Sequence, residues 1–283
     1  MPKRTTRSKT SILLTVAQRR AIAELIPEWE VRLKLDERAQ RMIPFLISEA
    51  QRIQEVSKNK VEELGIPGKT SPIGYVYDLV SKALHTAKGI DAIPVESRVY
   101  QFRIAIEGSR PAIWRRILVK EGSLHQLHLW LQAAMGWKTL GQYRFELNGL
   151  YFSHPTVIKE HGNPSYLLDA TRNPISRIVP PTGRKTTLQY VYDFADQWSH
   201  ELQFEECLLA NPDADYPLCL EGNLACPPEK IGGIDAYYDC LESMVEPDHP
   251  RHNANWDRWK VKFDVNKFDV NVATKQMQKA TEE

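Results

Sequence analysis

The chain contains no run of 18 apolar residues, so no segment reads as a membrane-spanning helix. It also lacks the G-x-x-x-x-G-K-[ST] phosphate loop, a G-x-G-x-x-G turn after a strand, an H-E-x-x-H pair and a nucleophile elbow. P-loop, dinucleotide, zincin and elbow-hydrolase chemistry therefore have no sequence carrier here. Cysteine is missing from the first 206 residues: Cys207, Cys219, Cys226 and Cys240 all lie in the last third of a 283-residue chain. A chain of that length builds a core without staples, so four reduced thiols are expected rather than two disulfides. The first ten residues, MPKRTTRSKT, lack the apolar stretch of a secretory signal, which makes the cytoplasm the expected compartment.

A net charge of +1 excludes any strong bulk preference for anionic or cationic partners, but it hides an asymmetry. Residues 1–93 carry 16 Lys and Arg against 11 Asp and Glu, and the remainder carries 21 against 25. Lys3, Arg4, Arg7 and Lys9 are an acid-free basic cluster. It reads either as a solvated tail or as a phosphate-contacting arm.

Residues 1–93 read as a small all-α segment. Thr15-x-x-Gln18 is a capping box that opens a helix carrying Ile22, Leu25 and Ile26, and Pro27 stops it. A second helical stripe, Ile43, Leu46, Ile47, Ile53, Val56 and Leu64, runs from near Asp36 with Pro44 as a kink. Ser71-Pro72 caps a third, with Ile73, Val76, Tyr77, Val80 and Leu84 on one face and Gly89 past its end. Such amphipathic helices could also join two copies of the chain into a homo-oligomer.

From residue 94 to 283 the period becomes alternating, as in Tyr100, Phe102, Ile104 and Ile106, and Ile113–Val119 returns as a second strand. Ser123 caps a helix ended by Gly136, and Asn148-Gly149 is a two-residue hairpin turn between YRFEL and LYF. Further strands are expected near Tyr166–Leu168 and in Thr187–Phe194 and His200–Leu208. Helices are expected in GIDAYYDCLESM, near His252–Trp259, and at the end of the chain. Paired strands with a few helices imply an α+β domain, its mixed or antiparallel sheet forming a roll or partly closed barrel.

The pieces YQFRIAIEGSRPAIWRRILV, LHQLHLWLQAAMGW, YDFADQWSHEL, YPLCLEGNLACPPEKIGG, DHPRH and FDVNKFDV stand in one order over roughly residues 99–270. In that order they resemble the plasmid pRiA4b ORF-3-like family, also labelled insertion-element passenger or TnpR-like. The resemblance implies a compact α+β domain carried near mobile elements and implies little about activity. Many members carry a His-x-His-x-Phe strand where this chain has Gly141-Gln142-Tyr143-Arg144-Phe145, and an Asp-Gly-Asp turn where it has Asp193-Phe194-Ala195-Asp196. No recombinase nucleophile motif accompanies the TnpR label.

Candidate chemistry centres on Asp193, Asp196, Trp198 and His200, at a strand–turn–strand. A carboxylate beside an imidazole can orient it and raise its pKa for acid–base work. The alternative is turn chemistry, with the acids accepting backbone N–H groups while Trp198 and His200 are packed. His125 and His128 share a helix face and could supply two zinc ligands. Cys219 and Cys226 have six residues between them, however, which is not zinc-knuckle spacing, and Cys240, His249 and His252 add possible ligands without a recognised pattern. Trp114, Arg115 and Arg116 sit on a strand whose alternation sends the two arginines to opposite faces, so at most one can stack on a nucleobase. The expectation is a non-enzymatic binding module for a protein or nucleic-acid partner, with no cofactor. Its rival is an acid/base or metal-assisted enzyme acting on nucleic acid or nucleotide, with His200 or His128 as base.

Overall fold

The computed structural model describes residues 9–29, 33, 41–64, 71–86, 93–138, 141–180, 185–252 and 263–281. The chain divides into two compact units: Met1–Val99 with Pro181–Gly183 and Cys207–Asp215, and Tyr100–Pro180 with Arg184–Glu206 and Tyr216–Glu283.

The first unit contains the expected helices, α1 (Val16–Leu25), α2 (Ile47–Leu64) and α3 (Pro72–Thr86). The Thr15/Gln18 capping box forms in both directions, and the Ser71 hydroxyl accepts the Gly74 N–H at 3.2 Å. The unit is not all-α. Strand β1 (Lys9–Leu14) pairs antiparallel with β2 (Arg41–Leu46), so the second helical run begins at Ile47. RMIPFL satisfies a two-residue period, with Ile43 and Phe45 buried, and Pro44 would break a helix there. Both strands of a two-stranded ribbon are edges, where a missing N–H is tolerated. Ile22, Ile26, Phe45, Ile53, Val76 and Val80 form the buried centre of this unit. Asn211 ties its outlying segment to β1 by donating to the Leu13 carbonyl at 3.1 Å and to Gln18 Oε1 at 3.0 Å. Asp36, Gly89 and the arm residues Lys3, Arg4 and Arg7 lie outside the described residues, as does the side chain of Lys9.

The second unit is built on eight strands: β3 (Arg98–Ile106), β4 (Trp114–Lys120), β5 (Tyr143–Leu147), β6 (Leu150–Ser153), β7 (Leu167–Asp169), β8 (Thr186–Tyr192), β9 (Trp198–Leu209) and β10 (Leu218–Asn223). Their order is β10-β4-β3-β9-β8-β5-β6-β7, an open sheet with edges at β10 and β7 rather than a closed barrel. It is mixed, because β7 runs parallel to β6. Asn148 (φ 51°) and Gly149 (φ 78°) make the β5–β6 turn, where both residues need the left-handed region. Among the described residues this unit contains the helices α4 (Leu124–Met135), α5 (Pro155–Glu160), α6 (Gly233–Val245) and α7 (Val270–Lys279). Helix α7 packs on both α4 and β10. The helix expected near His252–Trp259 falls, beyond His252, outside the described residues.

Glycine is needed at position 222 for proximity. A Cβ there would sit 2.6 Å from the Phe268 ring and 2.8 Å from Cδ of Arg115. Gly222→Ala is therefore expected to cost about 1–3 kcal/mol, the range for overpacking a filled core. Urea unfolding of the full chain measures it, and an unchanged midpoint would show that Phe268 swings aside freely.

Candidate functional site

Helix α4 directs His125, His128 and Gln132 toward β5 and β8, the spacing that places i, i+3 and i+7 on one face. Gln132 Nε2 donates to the Tyr190 hydroxyl at 2.8 Å, which leaves the Tyr190 O–H to donate to His128 Nδ1 at 2.7 Å. His125 Nδ1 meets the Tyr143 hydroxyl at 2.8 Å, and the Tyr143 ring stacks on His128 at 3.7 Å. Burial first, then the His125 and His154 rings, hold His128 well below its ordinary pKa; burial and His154 lower His125 less strongly. Burial pushes both tyrosine hydroxyls up. The result is a neutral polar network beneath α4, with His128 only 1% exposed.

His200 lies deeper. It is fully buried, its Nδ1 faces the Tyr190 carbonyl at 3.2 Å, and its Nε2 has no partner among the described residues. Trp137 meets its ring edge-on at 5.5 Å, and Trp198, also buried, packs on the same Trp137 at 5.5 Å. Burial pushes the imidazole down to about 4.

The two aspartates go elsewhere. Asp193 sits at φ 53°, accepts the Ala195 N–H at 3.2 Å and pairs with Lys230 at 2.5 Å. Burial alone would raise its pKa, but the Lys230 and Ala195 bonds outweigh that and hold the carboxyl below its ordinary value. Asp196 accepts the Gly232 N–H at 3.2 Å. These side chains dock the 230–232 segment, and among the described residues neither is hydrogen-bonded to an imidazole, so the five residues His128, Asp193, Asp196, Trp198 and His200 do not line one common cavity there. Asp193→Ala, which loses two bonds and places a Cβ residue without local acceptors at positive φ, is expected to cost about 1–2 kcal/mol. Asp193→Asn, which tolerates that φ and keeps an acceptor for Ala195, should cost less than half as much in the same thermal unfolding series. Equal losses would mean that the ion pair, not the turn, dominates.

The arginines separate as alternation requires. Arg115 is 2% exposed and bonded to backbone carbonyls, which removes it from any surface patch. Arg116 faces outward but is committed to Glu205 at 2.7 Å and Glu221 at 2.6 Å. Among the described residues Cys219, Cys226, Cys240 and Cys207 form no disulfide, and burial raises the first two to about 12 and about 11. His252 Nδ1 is taken by the Ser243 carbonyl at 2.7 Å. Among the described residues, no group of three His, Cys, Asp or Glu side chains is placed to hold a metal ion.

One open concavity lies on the other face of the sheet. The Phe145–Phe152 pairing turns those rings into the core, so Arg144, Tyr151 and Ser153 share the outer face of β5 and β6, and Leu167 of β7 lies in register with Tyr151. With Gly149, Val157, His161, Tyr166 and Phe194 these residues line a cavity of about 550 Å³. The Arg144 guanidinium lies 5.7 Å from the Tyr151 ring and 5.5 Å from the Phe194 ring. Among the described residues it has no hydrogen-bond or ion-pair partner, and its Nε is sealed from solvent. Leaving such a donor unpaired costs about 1–3 kcal/mol, and the four Nη hydrogens remain as donors for a ligand. Sequence reading missed this site. Its one local signal is alternation, which puts Arg144 opposite the inward Tyr143 and Phe145 with no acid beside it in YRF.

Residues 98–272 match the model of a family described as plasmid pRiA4b ORF-3-like protein. The chain is 32% identical over 186 residues to the uncharacterized protein y4hQ of Sinorhizobium fredii, an alignment covering 65% of this chain and 91% of that protein. The crystal structure of a protein of unknown function, MM3350 of Methanosarcina mazei Go1, superposes with a TM-score of 0.55 at 26% identity. That similarity covers 62% of this chain and 97% of the archaeal one. Residues 1–97 lie outside the family match.

Proposed function

Because the chain belongs to the plasmid pRiA4b ORF-3-like family, whose matched relatives carry no assigned activity, we propose a function from its own geometry: a non-enzymatic binding module that engages its partner through the Arg144 cavity. One observation carries this reading. The unsatisfied cation stands in the open aromatic cavity, while His128 and His200 are buried and Asp193 is paired with Lys230. A general base must reach the proton it removes, and among the described residues His128 is only 1% and His200 0% exposed. No observation favours the rival enzyme. A protein surface or a nucleic acid could offer the cavity one anionic aromatic group. Among the described residues no helix is long and apolar enough to cross a membrane, and four cysteines without a disulfide support a cytoplasmic setting. Carriage beside a mobile element belongs to the same reading; flanking transposase genes would support it, and a flank without them would count against it.

Thermal-shift screening of the full chain against charged and neutral small molecules and oligonucleotides tests the reading, with each mixture assayed for product. The expected outcome is stabilisation without turnover, about 2.7 kcal/mol for a ligand at 100 times its Kd, lost in Tyr151→Ala and Tyr166→Ala. A product formed by the natural chain and abolished in a folded His128→Gln or His200→Gln variant would sink it.

A further inference from the structure

We propose that the cavity on the outer face of β5 and β6 takes a small aromatic anion of single-nucleotide size, with its charged group on Arg144 and its ring on Tyr166. This rests on the binding reading above and adds the chemistry of the ligand.

The charge follows from the lining. Arg144 contributes five N–H donors and uses none of them on the described residues. Among the described residues no Asp or Glu lines the cavity. Glu146 and Asp169 share the same sheet face, yet neither pairs with Arg144; Asp169 instead meets Arg172 at 3.4 Å and the Thr171 hydroxyl at 2.6 Å. The flanking Tyr151 and Phe194 rings hold the guanidinium by cation–π contact without using its donors, so it is positioned and still available. His161 spends Nδ1 on the Val157 carbonyl at 2.8 Å, and Ser153 spends its hydroxyl on the Tyr143 carbonyl at 2.5 Å. Arg144 is thus the principal polar anchor.

The ring follows from the rest of the wall. Tyr166 is 55% exposed at the cavity edge and is braced edge-to-face by Tyr151 at 5.8 Å, with Leu167 and Val157 completing an apolar floor. A braced, exposed tyrosine offers a flat face to a planar group. The volume of about 550 Å³ falls inside the roughly 300–1,000 Å³ range of small-molecule sites. A long polyanion is disfavoured by the surroundings, because residues 94–283 carry 25 acids against 21 bases and a strand would be repelled beyond the cavity.

Calorimetric titration of the full chain with adenosine monophosphate, adenosine, inorganic phosphate, benzoate and a 5′-phosphorylated single-stranded hexanucleotide tests the proposal. Expected is 1:1 binding of the monophosphate, with benzoate binding competitively if carboxylate serves as well as phosphate. Adenosine and phosphate alone should each bind at least about tenfold more weakly, Arg144→Gln should lose about 10- to 100-fold, and Tyr166→Ala about fivefold or more. Tyr166→Ala changes an exposed side chain, so it keeps the test sharp if Arg144→Gln disturbs folding. The proposal is overturned if neither aromatic anion binds up to about 5 mM. It is equally overturned if adenosine matches its monophosphate, or if the hexanucleotide binds far more tightly than the monophosphate through Arg144, which would make the site a strand-reading one. Screening hits confined to neutral or cationic ligands at the cavity would reject the anion while leaving the binding module standing.

Discussion

Arg115→Met is expected to destabilise the second unit by about 3–5 kcal/mol, the scale of stripping one partner from a buried charged network. The side chain is 2% exposed and four carbonyls depend on it: Ala134 at 3.1 Å, Trp114 at 2.8 Å, Asn223 at 3.0 Å and Leu224 at 2.8 Å. Cys226 Sγ lies 3.2 Å from the same guanidinium, and the Phe268 ring covers it at 3.9 Å. The carbonyls come from β4, the last turn of α4, the end of the neighbouring β10 and the loop after it, so one side chain ties a helix end and a loop to a strand pair. The last turn of α4 is also the negative end of its dipole, where a cation is stabilised. Methionine fills much of the volume and donates nothing, leaving the buried Ala134 carbonyl and the part-buried Trp114, Asn223 and Leu224 carbonyls each short of a partner, at about 1–3 kcal/mol for the buried one and less where water reaches. Lysine keeps the charge but not the planar fork, so Arg115→Lys should recover less than half of the deficit. Urea unfolding at neutral pH measures both variants. A cost below about 1 kcal/mol for methionine would show that water replaces the guanidinium without penalty, and the hub account would fail.

How far such a residue was legible in the sequence depends on the range of its interactions. Thr15 and Gln18, Ser71 and Pro72, and Asn148-Gly149 act on their own backbone within a few residues, and each forms the cap or turn its chemistry implies. Residues 41–46 are ambiguous in sequence because Ile43 and Leu46 fit a helical stripe while Ile43 and Phe45 fit a strand, and only pairing with β1 decides. Alternation correctly sends Arg115 and Arg116 to opposite faces. It does not say which face is buried, since that depends on carbonyls up to 109 residues away. The acid–indole–imidazole run at Asp193–His200 looked chemical because two turn carboxylates and two inward strand residues are neighbours in sequence; the sheet separates them. The Arg144 cavity inverts that case, because Arg144, Tyr151, Tyr166 and Phe194 are unremarkable singly and acquire meaning only when β5, β6 and the turn before β9 meet. Sheet order and openness are non-local for the same reason, and the composition of an open eight-stranded sheet does not differ from that of a partly closed one.

The second large effect is loss of stability in mild acid, with His200 as a principal source. Its folded pKa of about 4 lies below the ordinary value of about 6.5, because burial disfavours the cation and protonation would place a second N–H where Nε2 has no acceptor. Above pH 6.5 the group is neutral in both states and the full stability is present. Between 6.5 and about 4 the unfolded chain binds the proton first, so stability falls as pH falls, by about 3 kcal/mol in all at 1.36 kcal/mol per pKa unit. His128, also held well below its ordinary value, adds a contribution of the same sign. Asp193 and Glu205 have lowered pKa values too, but carboxylates exact their loss only below their unfolded values of roughly 4, beneath the histidine window. The region between pH 6.5 and 4.5 therefore isolates the imidazoles. Asparagine keeps a donor where Nδ1–H serves the Tyr190 carbonyl and cannot titrate. His200→Asn should lower neutral-pH stability by about 1–2 kcal/mol through lost packing against Trp137, yet flatten the acid slope, leaving His128 and His125, whose pKa values are also lowered, to account for what remains. Urea midpoints at half-unit intervals from pH 7.5 to 4.5 resolve the two effects, since packing shifts the whole curve and titration changes its tilt. A variant curve parallel to that of the natural chain would mean that His200 opens to solvent before it titrates, and the buried-imidazole account of this acid sensitivity would have to be abandoned.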